Sequence, residues 1–300
     1  MPIHRRSLVA ALVASLFLAT PAVHAAHPGA LRVLVTNDDG VGAPGIDALV
    51  TALSANPNLD ITVIAPATNQ SGTGDKLTAG PIDVTPASTA GAFPARAVAG
   101  FPADSSVFGI RTMNPPPDLV VSGINLGQNI AELSTLSGTV GAALWAARLG
   151  VPAFAVSQGF GPALSYTDAA NYTAQLVEKF RVNRGFRAKL TTRFSDRKAL
   201  VVNINFPTCA GAGTRRGIEL VPLGRITTIT SYTLQSTMGS TQRFAPVNTS
   251  SSLSSDCTST LTKPVDDVAA MGAGFASVTV LNPDSSTSDK QRGYGFLVRP

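Results

Sequence analysis

Short β-branched runs that stop abruptly at polar, glycine- or amide-rich turns recur along the chain, with helical patterns between them. Leu31 to Val35 stops before Asn37-Asp38-Asp39-Gly40, Asp60 to Ala65 before the loop 67–78, and Asp118 to Ser122 before Gly123-Ile124-Asn125. Val151 to Ser157 and Ala199 to Phe206 continue the series. Runs this apolar belong to strands buried on both faces, as in a parallel sheet covered by helices. The alternation predicts an α/β fold with a doubly wound, mostly parallel sheet. Ligands bind such sheets at the carboxyl ends of the strands.

The first unit is the sharpest. Gly40, Gly42 and Gly45 allow a tight turn after the strand, and Pro44 suits the first turn of a helix carrying Ile46, Leu49, Val50 and Leu53 inward. Asp38 and Asp39 then lie on the ligand-binding rim, although Asn-Asp-Asp-Gly is equally the chemistry of a turn or a helix cap. The loop 67–78 (A-T-N-Q-S-G-T-G-D-K-L-T) reaches the same rim from a second strand, or is a plain surface connection. Ile82–Thr85 and Ala95–Ala99 read as an edge hairpin. Pro102–Met113 reads as a helix with Val107, Phe108 and Ile110 on one side, and Tyr166–Phe180 as another helix. Ser137-Gly138-Thr139 opens an apolar helix, as an anion site or as an ordinary N-cap.

Composition narrows the chemistry. Apolar residues make up 44% of the chain and charged residues 14%, which is globular. Arg5 and Arg6, the apolar run Leu8–Leu18 and Val23-His24-Ala25 have the layout of a secretory signal peptide over residues 1–25. Its removal takes Arg5, Arg6 and no acid, so the net charge falls from +5 to +3. That mild excess, without a basic cluster, gives no nucleic-acid groove. No later stretch is long and apolar enough to span a bilayer, so no membrane contact is expected after cleavage, and the localisation is secreted or periplasmic. In an exported chain Cys209 and Cys257 are expected to pair. His4, His24 and His27 are the three histidines, all in or next to the leader. The folded body therefore excludes a Ser-His-Asp triad, a phosphohistidine route and a His-ligated zinc site. A metal, if held, must be held by oxygen, which favours Mg²⁺, Mn²⁺ or Ca²⁺.

From Cys209 onward the composition changes. The expected organisation is a signal peptide (1–25), an α/β catalytic core (26–208) and a Ser/Thr-rich β-hairpin and loop excursion (209–263). A C-terminal helix and strand then return to the core and end in a tail (264–300). Strand-like Ile226–Leu234, a short helix over Asp266–Met271 and a strand over Phe275–Leu281 fall in these last two parts.

Asp38 and Asp39, Ser71, Asn125 and Ser137–Thr139 thus stand at successive strand ends. Two carboxylates, a hydroxyl and an amide oxygen make a partial shell for a hard cation, with places left for water and substrate. In order and spacing, T-N-D-D-G-V-x-A-P-G, N-Q-S-G with K-L-T, S-G-I-N-x-G-x-N, S-G-T-V-x-A-A and V-N-I-N-F-P resemble the SurE (survival protein E) family of metal-dependent nucleotide phosphatases. The resemblance is close over Leu31–Pro207. It implies a Rossmann-like core and a phosphomonoesterase acting on nucleoside 5′- and also 3′-monophosphates, with one divalent cation per subunit. By motif position it implies Asp38, Asp39, Ser71 and Asn125 as metal ligands, and Asp38, Asp39 and Asn125 as the catalytic set. Asn37, Gly72, Asn129, Ser137, Gly138 and Thr139 would line the phosphate pocket. It also implies a homodimer or homotetramer built through the C-terminal hairpin or tail.

The family's G-T-P-x-D-C-V reads Gly100-Phe101-Pro102-Ala103-Asp104-Ser105-Ser106 here, a departure in a segment expected near the nucleoside. Two other readings stand beside the nucleotidase. One is a broad-specificity acid or polyphosphatase, the other a non-catalytic protein that binds a metal and a phosphorylated ligand. The Asp-Asp pair argues against the last, because a pure anion binder gains nothing from two carboxylates without a cation between them.

Overall fold

The computed structural model describes residues 29–161, 163–191, 198–209, 213–226, 229–248, 254–284, 286–287 and 291–298. The expected leader, residues 1–25, lies outside the described residues. The elements run β1 (Leu31–Thr36), α1 (Pro44–Ser54), β2 (Leu59–Pro66), β3 (Val84–Ser88), β4 (Pro94–Val98), α2 (Pro102–Thr112) and β5 (Leu119–Leu126). Then come α3 (Leu133–Leu136), α4 (Gly138–Arg148), β6 (Ala153–Gln158), α5 (Thr167–Val182), α6 (Arg184–Thr191) and β7 (Val201–Phe206). The chain continues with β8 (Gly217–Leu220), β9 (Ile229–Met238), β10 (Thr241–Asn248), α7 (Asp267–Gly272), β11 (Phe275–Leu281) and a 3₁₀ segment, Gln291–Val298.

The main sheet has the order β3-β4-β2-β1-β5-β6-β7-β11-β8. Its centre is parallel from β4 through β7, with β3 antiparallel at one edge and β11 antiparallel to β7. Chain progression runs outward from β1 to β2 on one side and from β5 to β7 on the other, so the strand order reverses between β1 and β5. This is an α/β, Rossmann-like sheet, and the reversal point is where its ligand crevice belongs.

Alternation sends Val33 and Val35 into the layer under α1 and α5, and Leu34 into the layer under α4. β5 breaks the alternation. Its Ser122 and Asn125 face Ala155 and Ser157 of β6, so Gly123 and Ile124 stand against Val156 alone, one residue extra on β5. Leu119 and Val121 share one layer and Val120 the other, yet Ile124 packs with Leu119 and Val121. The bulge thus resets the phase just before Asn125.

Of the three residues expected on one side of α2, Ile110 is buried, but most of the buried face is made by smaller residues. Pro102 to Ser106, Gly109 and Ile110 are buried, while Val107 and Phe108 are half-buried. The helix packs through small residues: a Cβ on Gly109 would stand 2.5 Å from Leu34 Cδ2. Phe108 lies instead beneath the Arg96 guanidinium, 4.8 Å from the ring centre.

After β7 the chain does not leave the core entirely. β8, inside the Ser/Thr-rich stretch, pairs with β11 in the main sheet. The β9–β10 hairpin forms a separate two-stranded sheet with Tyr232, Leu234, Met238 and Phe244 exposed. The Cys209–Cys257 disulfide is formed, joining residues 48 apart. In the chain-entropy model a loop of that size is stabilised by about 4 kcal/mol. No helix among the described residues is long and apolar enough to cross a membrane.

Candidate active site

Asn37, Asp38 and Asp39 leave the end of β1 at the reversal point. Asp38 is 2% exposed, and the Thr139 hydroxyl donates to its Oδ1 at 2.5 Å. Burial pushes the Asp38 carboxyl up to about 6; the Thr139 hydroxyl and backbone N–H oppose that rise, and the neighbouring Asp39 charge adds to it. Asp38 is therefore itself the anion at the start of α4. α4 can come this close because residue 138 is glycine: a Cβ there would stand 2.8 Å from Asp38 Cβ.

Asp39 is half-buried and held from two sides. The Leu126 N–H donates to Oδ2 at 3.0 Å, and Asn69 Nδ2 donates to Oδ1 at 3.2 Å. Burial raises its pKa, and both donors pull it back. Asn125, next to Leu126, is 5% exposed and uses Nδ2 to donate to the Gly127 carbonyl at 2.6 Å. Its Oδ1 is buried without a partner. Asn37 repeats the pattern: Nδ2 donates to the Gly40 carbonyl at 2.8 Å, and Oδ1 is buried and unpaired. Such orphaned acceptors are costly unless something fills them.

The loop bearing Ser71 and Gly72 approaches from β2. The Gln70 N–H donates to the Asp38 carbonyl at 2.7 Å, tying the loop to the carboxylates. Ser71 and Gly72 are exposed, and Gly72 takes φ +78. Farther along, Gly74 passes so close to α4 that a Cβ on Gly141 would stand 2.1 Å from the Gly74 carbonyl oxygen. Thr78 is clamped by Asp104, whose Oδ2 accepts its hydroxyl at 2.6 Å and whose Oδ1 accepts its N–H at 3.0 Å. The Gly100–Ser106 segment thus acts here as a clamp at the start of α2. None of its residues lines the cleft beside Asp39.

The remaining expected residues are placed as follows. Ser137 Oγ accepts the Val140 N–H at 3.1 Å and so caps α4. Thr139 is fully buried and its hydroxyl is committed to Asp38, a role that spacing alone did not assign. Asn129 donates from Nδ2 to Ser157 Oγ at 2.9 Å, and its N–H is accepted by Asn205 Oδ1 at 2.6 Å. Asn203 Nδ2 donates to the Asn129 carbonyl at 2.8 Å. Asn203 and Asn205, two apart on β7, lie on one strand face, and that spacing was the available signal for them. Asp267 was not foreseen: it accepts the Ala131 N–H at 3.0 Å and the Gly224 N–H at 2.7 Å, stapling the Asn129 loop to the chain after β8.

No group of three or more His, Cys, Asp or Glu among the described residues could hold a metal. The donors at this rim are the two carboxylates and the unpaired Oδ1 of Asn125, the residue before the Leu126 that holds Asp39; among the described residues no hydrogen bond ties the exposed Ser71 side chain to either carboxylate. That set fits a hard divalent cation.

The sequence profile of the family described as "Survival protein SurE" matches residues 33–230. A protein named 5′-nucleotidase SurE from Methanopyrus kandleri is 41% identical over 179 residues, covering 59% of this chain and 66% of the relative. One of the same name from Parvibaculum lavamentivorans is 39% identical over 198 residues, covering 65% and 67%. The matched stretch thus spans about two thirds of these relatives. The crystal structure of the SurE protein from Aquifex aeolicus superposes with a TM-score of 0.63 at 25% identity, covering 89% of this chain and 99% of that one. The matched stretch contains the whole rim from Asn37 to Asn205, and the chain belongs to the SurE family.

Proposed function

We infer that the chain is a 5′-nucleotidase, a phosphomonoesterase that hydrolyses nucleoside 5′-monophosphates to nucleoside and phosphate and also accepts 3′-monophosphates. Family membership supports the nucleotidase activity. The observation that carries the mechanism is the convergence of Asp38, Asp39 and the unpaired Asn125 Oδ1 at the strand reversal. Asp38, Asp39, Asn125 and Ser71 would hold one Mg²⁺ or Mn²⁺, with Ca²⁺ as an alternative. When bound, the cation supplies Lewis-acid polarisation of a phosphoryl oxygen and a more acidic water.

The chain does the positioning. Thr139 fixes Asp38, while Leu126 and Asn69 fix Asp39, so neither carboxylate has to be ordered when substrate arrives. Asn37, Gly72, Asn129, Ser137, Gly138 and Thr139 would line the phosphate pocket; Thr139 spends its hydroxyl and N–H on Asp38, Ser137 caps the Val140 N–H, and Asn129 holds the loop after β5 in place. Phosphate release from a panel of nucleoside monophosphates, with Mg²⁺, with Mn²⁺ and with EDTA, tests the reading. Release that depends on the cation is expected. Release insensitive to chelation would remove the metal, and no release from any nucleotide would overturn the activity.

The leader pattern and the disulfide support a secreted or periplasmic location. The exposed apolar side chains of the β9–β10 hairpin support a homodimer or homotetramer built on it, for which light scattering of a Tyr232→Ser/Leu234→Ser variant is the test. A variant with the wild-type mass would place the contact elsewhere.

A further inference from the structure

Beside Asp39 lies an open cleft of about 410 Å³, to which Asp38 and the residues of α4 contribute nothing. Its size is that of a small-molecule site. Ala43 and Pro44 at the start of α1, Ala67, Leu126 and the Tyr166 ring give it apolar walls, with Thr68 and Asn69 at a polar margin. Tyr166 is seated on the α1 start, where a Cβ on Gly45 would stand 3.3 Å from its Cε1. Leu126 is 39% exposed, although its own N–H is fixed on Asp39. The residue that anchors a carboxylate by its backbone thus offers its side chain to the cleft.

A phosphate group gains nothing from such walls. A nucleoside does, because it carries a flat π-face, polar base edges and a sugar on the same molecule as the phosphate. Aromatic side chains bind bases by stacking without strong sequence preference. We propose that this cleft binds the nucleoside half of the substrate, the base lying against Tyr166 and Leu126 and its polar edge meeting Thr68 and Asn69. The assignment rests on the nucleotidase reading. It makes Tyr166 and Leu126 the residues that separate nucleotides from other phosphate esters.

The test compares kcat/KM for adenosine 5′-monophosphate and for glycerol 2-phosphate in the full-length protein, Tyr166→Ala, Tyr166→Phe and Leu126→Ala. The nucleotide-to-glycerol ratio is expected to fall at least about tenfold in Tyr166→Ala, mostly through KM. It falls in the same sense in Leu126→Ala, which keeps the backbone bond to Asp39, and is retained in Tyr166→Phe. Equal losses on both esters, or none, would overturn the cleft assignment and leave the nucleotidase reading standing. Should the wild type release no phosphate from nucleotides, that reading fails, and titration with free adenosine decides the cleft. Adenosine binding weakened by Tyr166→Ala supports it, and no adenosine binding overturns it.

Discussion

Asp38 and Asp267 are both buried carboxylates at the beginning of a helix, and burial pushes both up to about 6. Their surroundings differ in kind. Asp267 is gripped by two N–H groups from separate loops, Ala131 and Gly224, and fastens the C-terminal part of the fold to the Asn129 loop. Asp38 is gripped mainly by Thr139 and is followed by Asp39, which is held by the residue after Asn125, whose amide oxygen has no partner. Burial and a raised pKa therefore do not distinguish the carboxylate proposed for the chemistry from the one that staples the fold. What distinguishes them is whether the neighbouring acceptors are already satisfied.

The two carboxylates should differ most in what their amide replacements do to activity. Asp38→Asn and Asp39→Asn should each lower kcat by more than the ~100-fold typical of removing an outer partner of a metal ligand, with circular dichroism unchanged. A wild-type rate from either would take that side chain out of the chemistry. Thr139→Val keeps the shape and removes the hydroxyl from Asp38, so activity or Mn²⁺ affinity should drop ~10–100-fold. Calorimetry with Mn²⁺ alone checks this, and an unchanged affinity would make Thr139 merely a packing residue.

Asp267→Asn should instead act on stability, costing about 1–3 kcal/mol in denaturant unfolding. The folded Asp267 keeps its proton to about 6 and the unfolded chain releases it near 3.8. The native state therefore binds more protons across that interval, and its stability falls there as pH rises. The wild type's margin over Asp267→Asn should be widest at the acid end of the interval and narrow through the folded pKa. A margin constant with pH would show that Asp267 ionises normally.

The smallest effect concerns an unpaired polar group with no ligand to meet. Ser106 sits fully buried on α2 with its hydroxyl unsatisfied, where the family motif carries an apolar residue. Ser106→Ala should raise stability by about 0.5–1.5 kcal/mol. A loss in thermal unfolding would mean that this hydroxyl has a partner after all.

β1, β2, β5, β6 and β7 were legible because strands buried on both faces read as unbroken apolar runs, and the rim followed from where those runs stop. α6 was not legible, since only Phe186 and Leu190 of its eight residues are buried, too few to set a period. β8 is four half-buried residues, and only its pairing with β11 makes it a strand. On α2, hydrophobicity points to Val107, Phe108 and Ile110, of which Ile110 is buried and the other two half-buried; the rest of the buried face is not legible, because close helix packing selects small residues such as Ala103, Ser106 and Gly109. At the rim, the placing of Asp38, Asp39 and Asn125 at strand ends could be read from where the apolar runs stop. The grips on them could not, because Thr139, Asn69 and Leu126 are distant in sequence from the carboxylates they hold.

The extra residue in β5 has a consequence for how this rim tolerates change. Side chains alternate with a period of two, so the direction of Asn125 depends on counting residues between it and the strand below. A deletion at Ile124 would leave every proposed ligand in the sequence and every other loop intact, yet rotate the amide to the opposite side of the sheet. Sequence alignments that score identity alone would rank such a chain as nearly perfect. Insertions and deletions between Ser122 and Asn125 are therefore more dangerous to the rim than most substitutions at its edge.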